Sequence, residues 1–234
     1  EKPLNYNNKS THPVVLILHG HHESDKFIKY RIGNSNYFNS NNMITVYPNG
    51  SGFILKNWDN VNKELFFLNT LLDTLFTSYA IDTNRVYLAG FSQGGMLAYK
   101  MACAYSHRIT ALAIVGSSID SAYINNRCSL SRPVPLISIN SIKDRACPID
   151  SFTYKGKWYN SIESGIASWA LKNDCAITPD SITTNKKYNV KIWRKDSQDL
   201  VSLWILSNGG HAWPQGKGFL FIPHFRPSKL INGN

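Results

Sequence analysis

An α/β fold, with a mostly parallel sheet flanked by helices, is what this sequence predicts on three observations. Short runs of β-branched apolar residues alternate along the chain with stretches whose apolar residues recur every three or four positions. The first run, Pro13 to His19 (PVVLILH), is apolar throughout, as a strand buried on both faces should be. Hydrophobic residues make up 43% of the 234, with 11 Phe, 12 Tyr and 6 Trp, enough apolar surface for one large core. Length predicts a single domain spanning 1–234. Runs such as Val14 to Leu18 and Leu112 to Val115 are far shorter than the roughly 20 residues of a membrane helix, so no bilayer span is expected.

The elements follow in order. After the first run, Ile44 to Tyr47 reads as a strand closed by the turn signal Pro48-Asn49-Gly50. Leu65, Leu68, Leu72, Leu75, Phe76 and Tyr79 mark an amphipathic helix. A polar connection, Ile81 to Asn84, leads into a strand over Arg85 to Ala89, and Gly94 to Tyr105 is a helix apolar nearly all round and hence buried. Ile109 to Val115 and Pro135 to Ile139 are strands, the second announced by Arg132-Pro133-Val134-Pro135. Ile162 to Lys172 is a helix, and Val190 to Trp193 and Leu200 to Leu206 are late strands before Asn208-Gly209-Gly210. The Asn-rich stretch Asn34 to Asn42 reads as an exposed loop.

Lys and Arg number 25 against 15 Asp and Glu, a formal charge of +10. Such a balance raises nucleic acid as a partner. The positive residues are nevertheless scattered singly or in pairs, with no basic helix and no nucleic-acid motif, so a basic surface and no nucleic-acid partner is the expectation. Cys103, Cys128, Cys147 and Cys175 are far apart and form no C-x-x-C pair. Two disulfides are possible in three complete pairings; Cys103, in an apolar helical segment, also fits a buried thiol. The chain opens at Glu1 without Met, in keeping with a processed or trimmed chain and with export.

The chemistry is carried by Gly90-Phe91-Ser92-Gln93-Gly94, a G-x-S-x-G string with a strand before it and a helix after it. A serine on a sharp strand-to-helix turn holds its hydroxyl above the sheet edge, and the following helix offers its dipole and the Gln93 amide to a developing oxyanion. The serine needs a base, and the base an orienting acid. Of the downstream histidines His211 and His224, His211, after a strand and a Gly-Gly turn, is the better base. Asp144, a few residues beyond the strand Pro135 to Ile139, is the favoured acid, with Asp150 on the same loop as runner-up. Asp174, near a helix end, and Asp196 and Asp199, in a hairpin, default to solvated or capping roles. The second oxyanion donor is expected in Leu18-His19-Gly20-His21-His22, at the His21 amide. Histidines 19, 21 and 22 lack metalloprotease-type helix spacing, so no metal site is expected.

These landmarks in order resemble the secreted polyhydroxybutyrate depolymerase and feruloyl esterase group of α/β-hydrolases. The resemblance rests on Leu18-His19-Gly20, Tyr47-Pro48-Asn49-Gly50, Asn57-Trp58-Asp59, Ile81-Asp82 with Arg85-Val86-Tyr87, the serine string through Met96, Arg132-Pro133-Val134-Pro135 after Cys128, Trp169 with Asn173-Asp174-Cys175, and Gly209-Gly210-His211-Ala212-Trp213-Pro214. It implies an α/β-hydrolase fold and a secreted or periplasmic serine esterase that needs no cofactor. Such an enzyme cleaves 3-hydroxybutyrate oligomers, feruloyl or acetyl esters through an acyl-serine, with Ser92, Asp144 and His211 as the triad. The string before the acid, Ile139-Asn140-Ser141-Ile142-Lys143, departs from the family's His-Gly-Thr-like one, and the family's helix after the histidine loop is expected to be short or missing. Trp58 and Trp213 are candidates for a substrate groove, although aromatics of this kind serve as often in a core. A serine peptidase with the same triad, and a non-catalytic glycan- or polymer-binding protein of this fold, are the competing readings.

Overall fold

The first apolar run divides its side chains between two cores. In β1 (His12–Leu18), Val14, Leu16 and Leu18 enter one apolar cluster, while Val15 and Ile17 enter another. Successive side chains of a strand point to opposite faces, so a strand apolar throughout must be covered on both. Leu65, Leu68, Leu72 and Leu75 of α3 (Val61–Ser78) and Leu97 to Tyr99 and Met101 to Cys103 of α4 (Gln93–Ala104) join the larger cluster; Ile28 of α1 (Asp25–Ile32) joins the smaller. The structure is a computed structural model describing residues 1–33, 36–53, 55–217 and 226–229. His224, and the chain after Lys229 where a short terminal helix was expected, lie outside the described residues.

Around β1 lie β2 (Ile44–Val46) on one side and β3 (Ile81–Phe91), β4 (Ala111–Val115), β5 (Leu136–Ser141) and β10 (Gln198–Leu206) on the other, all parallel. Antiparallel β9 (Tyr188–Lys195) and β8 (Ser181–Thr184) finish the eight-stranded sheet, in the order β2-β1-β3-β4-β5-β10-β9-β8. The fold is that of an α/β-hydrolase. Parallel strands end at one edge, so the loops after β1, β3, β5 and β10 gather there. Those four loops carry every residue expected to take part in the chemistry.

Local chemistry sets the helix limits. Asn60 caps α3 by accepting the Lys63 amide, 3.2 Å, and Ser24 caps α1, which ends at Gly33 in the left-handed region, φ 76°. In α4 only Met96 and Ala104 escape burial, as an all-apolar helix requires. Its one buried cation, Lys100, lies 3.3 Å from buried Asp120. α6 (Ile162–Lys172) opens on Ser161, whose hydroxyl accepts the Ser164 amide.

Four sequence expectations change. Ile81 to Asn84 is not a connection but the start of β3: Ile81 pairs with His12, and the polar residues after it bulge outward before pairing resumes at Val14 and Val86. The Asn-rich stretch contains a short helix, α2 (Asn36–Ser40). Helix α5 (Ser121–Arg127) and the hairpin of β6 (Phe152–Tyr154) and β7 (Lys157–Tyr159) went unforeseen. Finally, Cys103 is not a buried thiol: it bonds Cys128, just past α5, with Cα atoms 4.7 Å apart, while Cys147 and Cys175 are buried free thiols. The bridge spans a sequence separation of 25, and its loss releases that loop's entropy to the unfolded chain. A Cys103→Ala, Cys128→Ala double variant is expected to lose about 3 kcal/mol in urea unfolding.

Candidate functional site

Ser92 is the pivot between β3 and α4, with φ 52° and ψ −121°, a backbone state that costs a non-glycine residue about 1–3 kcal/mol. Bonds on both sides hold it there. Its N–H donates to Val115 O, 3.0 Å, and its carbonyl accepts the amides of Gly95 and Met96 at 2.9 and 3.1 Å. The turn is tight enough to demand glycine at both ends of the motif. A Cβ on Gly94 would lie 2.4 Å from the carbonyl oxygens of Leu18 and His19, and one on Gly90 would lie 2.6 Å from Gly94 O. As the first residue of α4, Gln93 has an amide with no carbonyl one turn earlier in the helix to receive it.

Asp144 and His211 meet although 67 residues separate them. His211 Nδ1–H donates to Asp144 Oδ2, 2.7 Å, and both side chains are buried. The other carboxylate oxygen of Asp144 accepts the amides of Ala146 and Cys147 at 2.9 and 2.8 Å, which fixes the carboxylate plane. With Nδ1 as donor, Nε2 is the nitrogen left to accept a proton. The His211 ring packs on Phe91, the residue before Ser92, at 4.7 Å between centroids. Asp150, the runner-up, is exposed. The pairing of the loops is lateral: β5 and β10 are neighbours, Ile142 N–H donates to Leu206 O at 3.0 Å, and the Ser141 hydroxyl donates to Gly209 O at 2.6 Å.

The loop after β1 separates the three early histidines. His19 is buried and structural: Nδ1–H donates to Gly20 O, 2.7 Å, and Nε2 accepts the Gly50 amide, 3.1 Å. Burial lowers its pKa, and these two bonds need the neutral ring. His21 and His22 stack on each other, 3.6 Å between centroids, in a turn where His22 has φ 59° and Gly20 N–H donates to Glu23. Trp58 is 2% exposed, and its indole N–H donates to His19 O, 2.8 Å, so it braces the loop after β1. Trp213 is half-buried against the smaller core cluster.

One network escaped the sequence reading. Gln93 is clamped through its side chain: Oε1 accepts the Trp58 amide at 3.1 Å, and Nε2 donates to Asp59 Oδ1 at 2.7 Å. Lys155, at the tip of the β6–β7 hairpin, donates to the same carboxylate oxygen, and its Nζ lies 3.3 Å from His21 Nε2. Burial would raise the Asp59 pKa, but the bonds from Lys155 and Gln93 outweigh it and hold the carboxyl below its ordinary value. Both residues expected to supply oxyanion amides are thus tied by their side chains to a single ion pair. The available signal was Lys155-Gly156 between two aromatic triplets, a two-residue turn flanked by short strands. From Gln93 a cleft of about 350 Å³ runs over Trp58 and Met96, walled by Tyr154 and Tyr159 of the hairpin.

The chain matches the Phospholipase/Carboxylesterase family over residues 55–159. It is 31% identical over 137 residues to the bifunctional acetylxylan esterase/xylanase XynS20E of Neocallimastix patriciarum, covering 56% of this chain and 19% of that protein. It is 24% identical to feruloyl esterase B of Piromyces equi, covering 68% of this chain and 31% of the relative. The chain therefore spans less than a third of the length of either. Among solved structures, acetyl xylan esterase from Aspergillus awamori superposes with a TM-score of 0.68 at 15% identity, covering 91% of this chain and 87% of the other. Esterase PE8 gives 0.63, also at 15% identity, with 92% of each chain covered. The sheet order, the matched segment and these relatives together show an α/β-hydrolase fold and a likeness to feruloyl and acetylxylan esterases.

Proposed function

We propose that this chain, as one catalytic domain over 1–234, is a serine carboxylic ester hydrolase of the feruloyl and acetylxylan esterase type. The observation that carries the reading is Ser92 on its strained turn beside a buried Asp144–His211 pair. His211 Nε2 takes the Ser92 proton as Oγ attacks the ester carbonyl, and the tetrahedral oxyanion is received by the amides of Gln93 and His21. Asp144 holds the ring tautomer and stabilises the imidazolium. Collapse expels the alcohol with the proton from His211; water, activated by the same base, then releases the acid and restores the serine.

The relatives named for feruloyl and acetylxylan esters support substrates of that kind, soluble aryl or acetyl esters and short oligomers. The Cys103–Cys128 bridge supports an oxidising compartment outside the cytoplasm. Among the described residues no helix is long and apolar enough to cross a membrane.

A fluorophosphonate probe with peptide mapping tests the reading, alongside hydrolysis of matched ester and peptide substrates. The expected result is one covalent adduct on Ser92 and turnover of the ester. A well-folded protein that takes no label favours a binding protein, and turnover of the peptide alone favours a peptidase. Asp59→Asn, which weakens the clamp on Gln93, is expected to lower kcat about tenfold with KM little changed, since only the transition state carries the oxyanion. Asp59→Glu should recover part of that loss.

A further inference from the structure

The cleft that starts at Gln93 is lined by three lysines, Lys100, Lys155 and Lys157, and by one carboxylate, Asp59. Past Lys100 and Lys157 it opens into a second depression that Arg127 also lines. Lys155 is matched by Asp59. At the far end, Lys100 and Lys157 share a single carboxylate, Asp120, at 3.3 and 3.5 Å. Lys100 and Asp120 are buried, whereas the Lys157 side chain is 49% exposed and faces the opening. Two cations on one carboxylate, with Arg127 beside them, leave positive charge in excess at a fixed distance from the oxyanion site. Apolar and aromatic side chains occupy the stretch between, from Met96 and Leu97 to Tyr159. A substrate lying in this cleft therefore meets the neutralised Lys155–Asp59 pair beside Gln93, apolar walls, and the Lys100–Lys157 cations.

We infer that the preferred substrates are esters bearing a free carboxylate at the end remote from the scissile bond, received by Lys157, Lys100 and Arg127. This rests on the esterase reading and narrows its substrate class. The carboxylate could belong to the acid part, as in a dicarboxylic hemiester or an oligomer of a hydroxy acid, or to the alcohol part, as in an acetylated acidic sugar. Attraction between an anion and partly exposed cations works through a high effective dielectric and is screened by salt. A preference of about tenfold at low ionic strength, shrinking as salt is added, is the size expected.

The test pairs each acid with its neutral methyl ester: the 4-nitrophenyl hemiester of glutaric acid for the acyl side, and an acetylated methyl glucuronoside for the alcohol side. Hydrolysis by the unmodified protein is read as kcat/KM. Binding of the same compounds to Ser92→Ala protein, which cannot turn them over, is read by calorimetry. We expect one of the two acids to bind about tenfold more tightly than its methyl ester in 20 mM salt. That ratio should fall toward unity in Lys157→Glu, and in Arg127→Glu should one variant fold poorly. Whichever pair shows the preference identifies the side of the ester that enters the cleft. Equal binding of acid and methyl ester in both pairs, or a ratio unmoved in both folded variants, overturns the inference. An intact binding preference with no turnover by the unmodified protein would remove the esterase reading and leave the carboxylate site standing.

Discussion

Ser92→Ala is expected to lower kcat for a small chromogenic ester about a million-fold, and Asp144→Asn about ten-thousandfold. The two differ because they remove different things. The alanine variant has no attacking oxygen, so only the oxyanion donors and binding remain to speed attack by water. The asparagine change leaves Oδ1 able to accept the amides of Ala146 and Cys147, so the loop keeps its shape. It presents an N–H to His211 Nδ1, however, which turns the ring to the tautomer whose Nε2 already holds a proton and cannot act as base. Fluorophosphonate labelling should be absent in the first variant and slowed in the second. A loss of less than tenfold in either would sink the triad.

Trp169→Ala is expected to cost about 4 kcal/mol and to lower Tm by about 10 °C in a thermal melt. Trp169 is wholly buried in α6, packs on Tyr99 of α4 at 5.4 Å between centroids, and donates its indole N–H to Val134 O at 3.1 Å. Truncation opens a cavity between two helices and strands a buried carbonyl on the approach to β5. The neighbouring bond, from the Val134 amide to Asn173 Oδ1 at 2.6 Å, shows how closely that approach is held from α6. Trp169→Phe should recover most of the packing and little of the hydrogen bond, and therefore fall between. Two equal melts for the alanine variant and the parent would refute the account.

The parts legible in the sequence are those where local pattern and tertiary role coincide. β1 is apolar because both faces are covered; α4 is apolar because it is buried nearly all round; Ser92 sits between glycines because any Cβ there meets backbone. Asp144, expected from its place after a strand, is buried and bonded to His211, whereas Asp150, six residues on, is exposed. What stayed hidden depends on partners far along the chain. The Cys103–Cys128 pairing and the tie from Gln93 through Asp59 to Lys155 are set by tertiary proximity. Helices α1 and α5 are too short, at 8 and 7 residues, for apolar periodicity to stand out. The bulge in β3 looked like a connection because its polar residues do leave the sheet.

The side-by-side placement of β5 and β10 has an evolutionary meaning. Since the Asp144–His211 contact depends on lateral register between β5 and β10, the β6–β7 hairpin, which lies outside the eight-stranded sheet, is an excursion whose length is thermodynamically cheap to change, whereas α6 and β9 carry the buried Trp169 and Trp193. Selection can lengthen, trim or exchange that hairpin, along with the cleft wall it carries, while the Asp144–His211 hydrogen bond stays in place. The β6–β7 hairpin is therefore the natural unit to graft when engineering a change in the cleft.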